Sequence, residues 1–297
     1  MRTIKILFWF FLILGSHSVF GQEAAPLRIV SLAPNWSHTV AELGAIDNLV
    51  GVTRYARFPA ELPLRVKQKR IDVVGGFTDI SIDNIIRLQP DLVLTATSLQ
   101  LRLKAKLEKL GIPIIHMEES SLEEVYSKIL LLGKTIDHQQ QADVLVESIQ
   151  GELREIAALY SNHPSPKVYY EINYLYKCVP GKHSYMTELI ELVGGKAIFS
   201  ERDGIAPMVT WPEVVTQNPD VILLPTWPNA TGPVFKGPQA GSGTTTINEV
   251  IAREGAERVN AVNNDAVRFI DSAVTKQAGP NIPQAARLLA EAIYAEQ

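Results

Sequence analysis

Ile85-Ile86-Arg87-Leu88-Gln89-Pro90-Asp91-Leu92-Val93-Leu94 returns 129 residues later as Val214-Val215-Thr216-Gln217-Asn218-Pro219-Asp220-Val221-Ile222-Leu223. Each copy reads as an apolar helix end, a proline–aspartate stop and a short uninterrupted apolar run. Proline disfavours the helical conformation of the residue before it, so each helix should stop there. A short continuous apolar run is the pattern of a strand buried on both faces. Two such units predict two similar α/β lobes. Two lobes of one chain leave a cleft between them, the usual place for a ligand.

Working outward, the first lobe (residues 26–137) alternates strands and helices. Strands are expected at Arg28–Ala33, Leu49–Thr53, Arg70–Val74, Asp91–Thr95 and Ile112–Met117. Pro34-Asn35-Trp36 reads as a turn, with Ser37 capping a helix through Thr39–Leu43. Ser81 caps a helix over Ile82–Leu88, and Leu99–Leu110 forms another, stopped by Gly111. Alternation of this kind predicts parallel sheets covered by helices on both faces. From 138 to 162, Ala142, Leu145, Val146, Ile149, Leu153, Ile156, Ala157 and Tyr160 recur at three- and four-residue steps among polar residues. That marks a one-sided amphipathic helix of roughly 24 residues, about 36 Å long, able to join the lobes. His163-Pro164-Ser165-Pro166 ends it. The second lobe (167–297) repeats the programme with strands at Lys167–Ile172, Val221–Pro225 and Val267–Asp271. Its helices are expected at Tyr185–Val193, Ile247–Arg253 and Ile282–Ala295, and Asn229–Thr246 reads as a loop.

The chain begins with Arg2 and Lys5, an apolar run over Ile6–Leu14, then Val19-Phe20-Gly21. This is the pattern of a cleaved secretory signal peptide over residues 1–21, with Gln22 starting the mature, periplasmic chain. Without Arg2 and Lys5, the 28 basic residues become 26 against 32 acidic, a formal charge of −6. A net negative chain is a poor match for nucleic acid. Cys178 is the sole cysteine, so no intrachain disulfide can form.

The sequence contains no G-x-G-x-x-G after a strand, no phosphate-binding G-x-x-x-x-G-K-[ST] and no G-x-S-x-G elbow. Neither a cofactor nor a metal is expected. His38, His116 and His183 could build a hydrolytic metal site with Glu118 only if the fold assembled them, and separate histidines are the expectation. Strand ends carry instead aromatic and small residues: Pro34, Asn35 and Trp36, Tyr55, Gly76 and Phe77 in the first lobe. Asn173, Tyr174, Tyr176 and Trp227 occupy such places in the second. Ligands of open α/β sheets sit outside the carboxyl ends of strands, so these residues outline a cleft for a bulky, partly apolar ligand.

Ile29-Val30-Ser31-Leu32-Ala33-Pro34, Leu49-Val50-Gly51-Val52-Thr53-Arg54-Tyr55, Val74-Gly75-Gly76-Phe77 and Gln89-Pro90-Asp91-Leu92-Val93 resemble the vitamin B12-binding periplasmic proteins. So do Pro180-Gly181-Lys182, Glu188–Gly195, Val209-Thr210-Trp211 and Gly279-Pro280-Asn281-Ile282. These proteins belong to the helical-backbone class of substrate-binding proteins of ABC importers, which also includes siderophore and haem binders. The resemblance implies a non-enzymatic monomer of two Rossmann-like lobes that closes modestly on its ligand. It implies a corrinoid held between Pro34, Tyr55 and Phe77 on one side and Tyr174, Trp211 and Asp271 on the other. A haem ligand would need an axial Tyr or His, a role open to Tyr55, Tyr174 or His183. The resemblance also implies one docking acid per lobe for the permease partner. Asp83 holds the first position; at the second Pro212 replaces the acid and Glu213 is its neighbour. A sensor that never docks is the reading that Pro212 leaves open.

Overall fold

The computed structural model describes residues 26–118, 120–172, 177–226 and 245–295. The expected signal peptide, Asn173, Tyr174, Tyr176 and Trp227 lie outside them. Five parallel strands form the first sheet: β1 (Ile29–Ser31), β2 (Leu49–Thr53), β3 (Asp72–Gly75), β4 (Leu92–Thr95) and β5 (Ile114–His116), in the order β3-β2-β1-β4-β5. Four parallel strands form the second: β6 (Lys167–Tyr170), β7 (Lys196–Ala197), β8 (Val221–Thr226) and β9 (Val267–Asp271), in the order β7-β6-β8-β9. The chain is thus an α/β protein of two lobes, each built on a parallel sheet.

The repeated Pro-Asp unit does the same work in both lobes. Gln89 and Asn218, one before each proline, take left-handed backbone at φ 46° and 48° and end their helices. The aspartate then ties the following strand to its neighbour. Asp91 Oδ2 accepts from Arg28 N at 2.8 Å, and Asp220 Oδ2 accepts from Lys167 N at 2.9 Å. The basic side chain at that neighbour's start turns back onto the helix end. The Arg28 guanidinium donates to Leu88 O at 2.8 Å, and Lys167 Nζ donates to Gln217 O at 3.0 Å. Last-turn carbonyls without partners are satisfied by a cation, the arrangement that the helix dipole favours.

The helix joining the lobes runs Gln139–Tyr160. Ala142, Val146, Ile149, Leu153 and Ile156 form its buried stripe. It packs on the helix Leu122–Thr135 on one side and on Ile282–Tyr294 and Tyr185–Leu192 on the other. One apolar cluster is continuous through both lobes and this helix. A smaller one, with Val30, Leu32, Ile85, Val93 and Leu107, fills the other face of the first sheet. No described helix is long and apolar enough to cross a membrane.

Two local expectations need correction. Pro34-Asn35-Trp36 is the first turn of a helix, Pro34–Glu42, because proline at the first helical position has its φ preset and no N–H to leave unpaired. Ser37 is therefore no cap: its hydroxyl bonds back to Ala33 O at 3.1 Å. Two helices unforeseen in the sequence, Glu61–Lys67 and Leu122–Thr135, complete the first lobe.

Candidate functional site

The candidate residues lie at or just beyond the carboxyl ends of the strands of the two sheets. On the first wall, Tyr55 follows β2 and Phe77 follows β3, both partly exposed. Arg54 and Asp79 form an ion pair at 2.6 Å between these strand ends, and the Arg54 guanidinium lies 5.8 Å from the Tyr55 ring centre. Gly76 makes room for that pair: a Cβ there would lie 2.2 Å from both Arg54 Nη1 and Asp79 Oδ1. Beneath them, buried Gln100 ties three strand ends together. Its Nε2 donates to Leu32 O at 2.9 Å and Phe77 O at 3.1 Å, and its Oε1 accepts from Ala96 N at 2.8 Å. Gln100 carries no motif in sequence, since Leu32 and Phe77 are distant in the chain.

The residues after β1 lie deeper than the aromatic pattern suggests. Trp36 is fully buried and its indole N–H donates to Met117 O at 2.8 Å, so it supports the wall from within. Pro34 is buried at the helix start, and Asn35 Nδ2 donates across the lobe boundary to Ala278 O at 2.8 Å. A second inter-lobe contact runs from Leu122 N to Glu188 Oε2 at 3.2 Å.

The opposite wall is charged. Glu171, which follows β6, has a side chain with no solvent exposure. It accepts from Arg253 at 2.8 and 3.1 Å, from Tyr169 at 2.9 Å and from Thr245, and Lys177 lies at 3.5 Å. Burial is the largest influence on Glu171 and raises its pKa. Hydrogen bonds and charge from Arg253, with Thr245 and Lys177, outweigh it and hold the carboxyl below its ordinary range. Trp211 covers this cluster. Its ring centre lies 4.8 Å from the Arg253 guanidinium and 6.5 Å from the Tyr169 ring, and its N–H donates to Glu254 O at 3.0 Å. Asp271 ends β9 and caps the helix Ser272–Thr275 by accepting from Ala273 N at 2.7 Å.

The two acids named for docking differ. Asp83 is exposed on the helix Ile82–Arg87, which Ser81 caps, and makes no hydrogen bond or ion pair with the described residues. Glu213 is occupied. One oxygen accepts from Thr210 N at 2.7 Å and Thr210 Oγ1 at 2.8 Å in a capping box, and the other pairs with Arg202. These bonds, the Thr210 amide first, bring its pKa down to about 2.

The histidines stay apart. His38 pairs with Glu42 at 3.2 Å, His116 with Thr95 Oγ1 at 3.0 Å, and His183 with Asp203 at 3.1 Å. Glu118 comes to 3.6 Å of His116 alone. Among the described residues no three of His, Cys, Asp and Glu are grouped to hold a metal ion.

Two parallel-sheet lobes joined by one long helix, with a wall of strand ends on each side, define a class of solute-binding protein. Residues 29–274 match the periplasmic binding protein family model, and the chain belongs to that family. An uncharacterized ABC transporter substrate-binding lipoprotein of Bacillus subtilis is 28% identical over 279 residues, 91% of this chain and 80% of the relative. A vitamin B12-binding protein of Yersinia pestis is 24% identical over 198 residues, 66% of this chain and 69% of the relative. The periplasmic heme-binding protein of Roseiflexus sp. RS-1 superposes with a TM-score of 0.71 at 23% identity, covering 91% of this chain and 98% of that one. The chain is therefore an extracytoplasmic substrate-binding protein of an ABC transporter and not an enzyme.

Proposed function

We propose that this protein captures a corrinoid outside the cytoplasm and delivers it to the permease of an ABC importer. The similarity to a vitamin B12-binding protein over two thirds of the chain carries this reading. The aromatic strand ends support it. Tyr55 and Phe77 offer flat apolar surface on one wall, with Gly76 beside them, and Trp211 and Asp271 face them from the other. Pro34 and Asn35 form the floor. Tyr174 and Trp227, the other residues proposed for the ligand, lie outside the described residues. Trp36 holds this surface from below. A large, weakly polar macrocycle is suited to such contacts, since aromatic faces bury much area at little entropic cost.

Secretion follows cleavage of residues 1–21, and the mature monomer comprises an N-terminal lobe over 26–137, a connecting helix and a C-terminal lobe from 167. Docking uses Asp83 on the first lobe and Glu213 on the second. Glu213 would exchange Arg202 for an arginine of the permease while its other oxygen keeps the capping box closed. Calorimetric titration of the mature protein with cyanocobalamin tests the ligand. Heat consistent with a Kd of about 10 μM or tighter, some 7 kcal/mol of binding free energy, is expected. No heat at tens of micromolar, of the same order in the affinity arithmetic, contradicts the reading. The fold shared with a haem binder favours haem as the second reading, and a Soret shift on adding hemin would replace the corrinoid with it.

A further inference from the structure

The cations of the charged wall are not equivalent. Arg253 and Lys177 both lie against Glu171, which balances them in place. Lys276 has no such partner. Among the described residues its ammonium makes one hydrogen bond, to Ile172 O, and no ion pair. Burial pushes the Lys276 pKa down to about 8, and among the described residues the Cys178 thiol alone acts the other way.

Its position is central. Ile172 follows β6, and Lys276 follows the turn of helix after β9. Thr275 O accepts from Tyr185 OH at 3.1 Å, and Tyr185 N donates to Ser120 O of the first lobe. Two residues beyond Lys276, Ala278 O takes the Asn35 amide of that same lobe. Lys276 thus stands at the junction of the lobes, between two inter-lobe contacts, with N–H donors left over among the described residues. A partly buried ammonium without a carboxylate among the described residues is costly, and such groups are retained where a ligand completes them.

We infer that Lys276 is an anion-recognising residue at the floor of the cleft, and that the bound macrocycle carries a carboxylate or phosphodiester that pairs with it. The inference rests on the proposed macrocycle reading for its ligand class alone. It is tested by titrating wild type, K276M and K276R with cyanocobalamin, which has a phosphodiester, dicyanocobinamide, which lacks it, and hemin, which has two propionates. Thermal midpoints confirm that each variant is folded. K276M should lose about 10- to 100-fold in affinity for the anionic probe that wild type binds, the usual worth of a hydrogen bond to a charged group. K276R should recover most of that loss, and dicyanocobinamide should not distinguish wild type from K276M. Hemin binding that K276M abolishes, without cyanocobalamin binding, supports the role of Lys276 and overturns the corrinoid. Equal affinity of folded K276M and wild type for the bound anionic probe overturns the role of Lys276 and leaves the corrinoid standing. A wild type that binds none of the three overturns both.

Discussion

Aligned on their Pro-Asp units, the two lobes place Leu32 and Glu171 at the same point, one residue past the end of β1 and β6. The backbone is the same: Leu32 N donates to Leu94 O at 2.8 Å and Glu171 N to Leu223 O at 3.1 Å. The side chains are not. Leu32 is buried among apolar neighbours, whereas buried Glu171 collects Arg253, Lys177, Thr245 and Tyr169. One frame has thus been given an apolar end and a charged end. The frame comes from what the repeats share, and the recognition chemistry from where they part.

The comparison can be broken most forcefully at Glu171. Glu171→Ala leaves Arg253 and Lys177 without their counter-charge, and should cost about 3–5 kcal/mol in urea unfolding, as when one partner of a buried ion pair is removed. Leu32→Ala would cost a similar amount by a different route, an empty apolar volume. Only the Glu171 contribution depends on acid. Its folded pKa lies below the unfolded value near 4.3, so its stabilisation is complete above that value and lost as pH falls through the folded one. The acid limb of wild type should therefore be steeper than that of Glu171→Ala.

Next come the paired aspartates. Asp220 also accepts from Asn260 Nδ2 at 3.0 Å, so Asp220→Ala should cost about 2–3 kcal/mol against about 1 kcal/mol for Asp91→Ala. Equal costs would show that the second unit has no added role. Lys276 provides a test in the alkaline range. Its folded pKa of about 8 lies below the unfolded value near 10.4, so the unfolded chain holds more protons between them. Wild-type stability should rise relative to K276M across that window, by about 3 kcal/mol, because the charged form is penalised in the fold. The smallest effect on stability belongs to exposed Asp83. Asp83→Asn should leave the unfolding midpoint within about 0.5 kcal/mol of wild type, yet weaken capture of the cognate permease in detergent.

Regular strands and helix stops were legible because their causes are local. Leu49–Thr53 and Val267–Asp271 form strands over the residues read from the sequence, and Ser81 caps its helix as its position implies. The helix at Pro34 is hidden in the sequence because Ala33, its N-cap, has no capping side chain, leaving proline as the one local signal. Leu122–Thr135 carried a signature that was available: Ser121 Oγ accepts from Glu124 N at 3.2 Å. The site was legible in part. Tyr55 and Phe77 declare themselves by type and place, but Gln100 and Glu171 do not. Glu171 becomes tolerable in the interior chiefly through Arg253, 82 residues away, and no local pattern records that pairing.

The most direct test of the account is a crystal structure of the mature protein grown with cyanocobalamin. The corrin should lie between the Tyr55–Phe77 wall and Trp211, with a phosphodiester oxygen within hydrogen-bond reach of Lys276 Nζ. A corrin bound outside the inter-lobe cleft, or a cleft that stays closed to it at saturating ligand, would contradict the account.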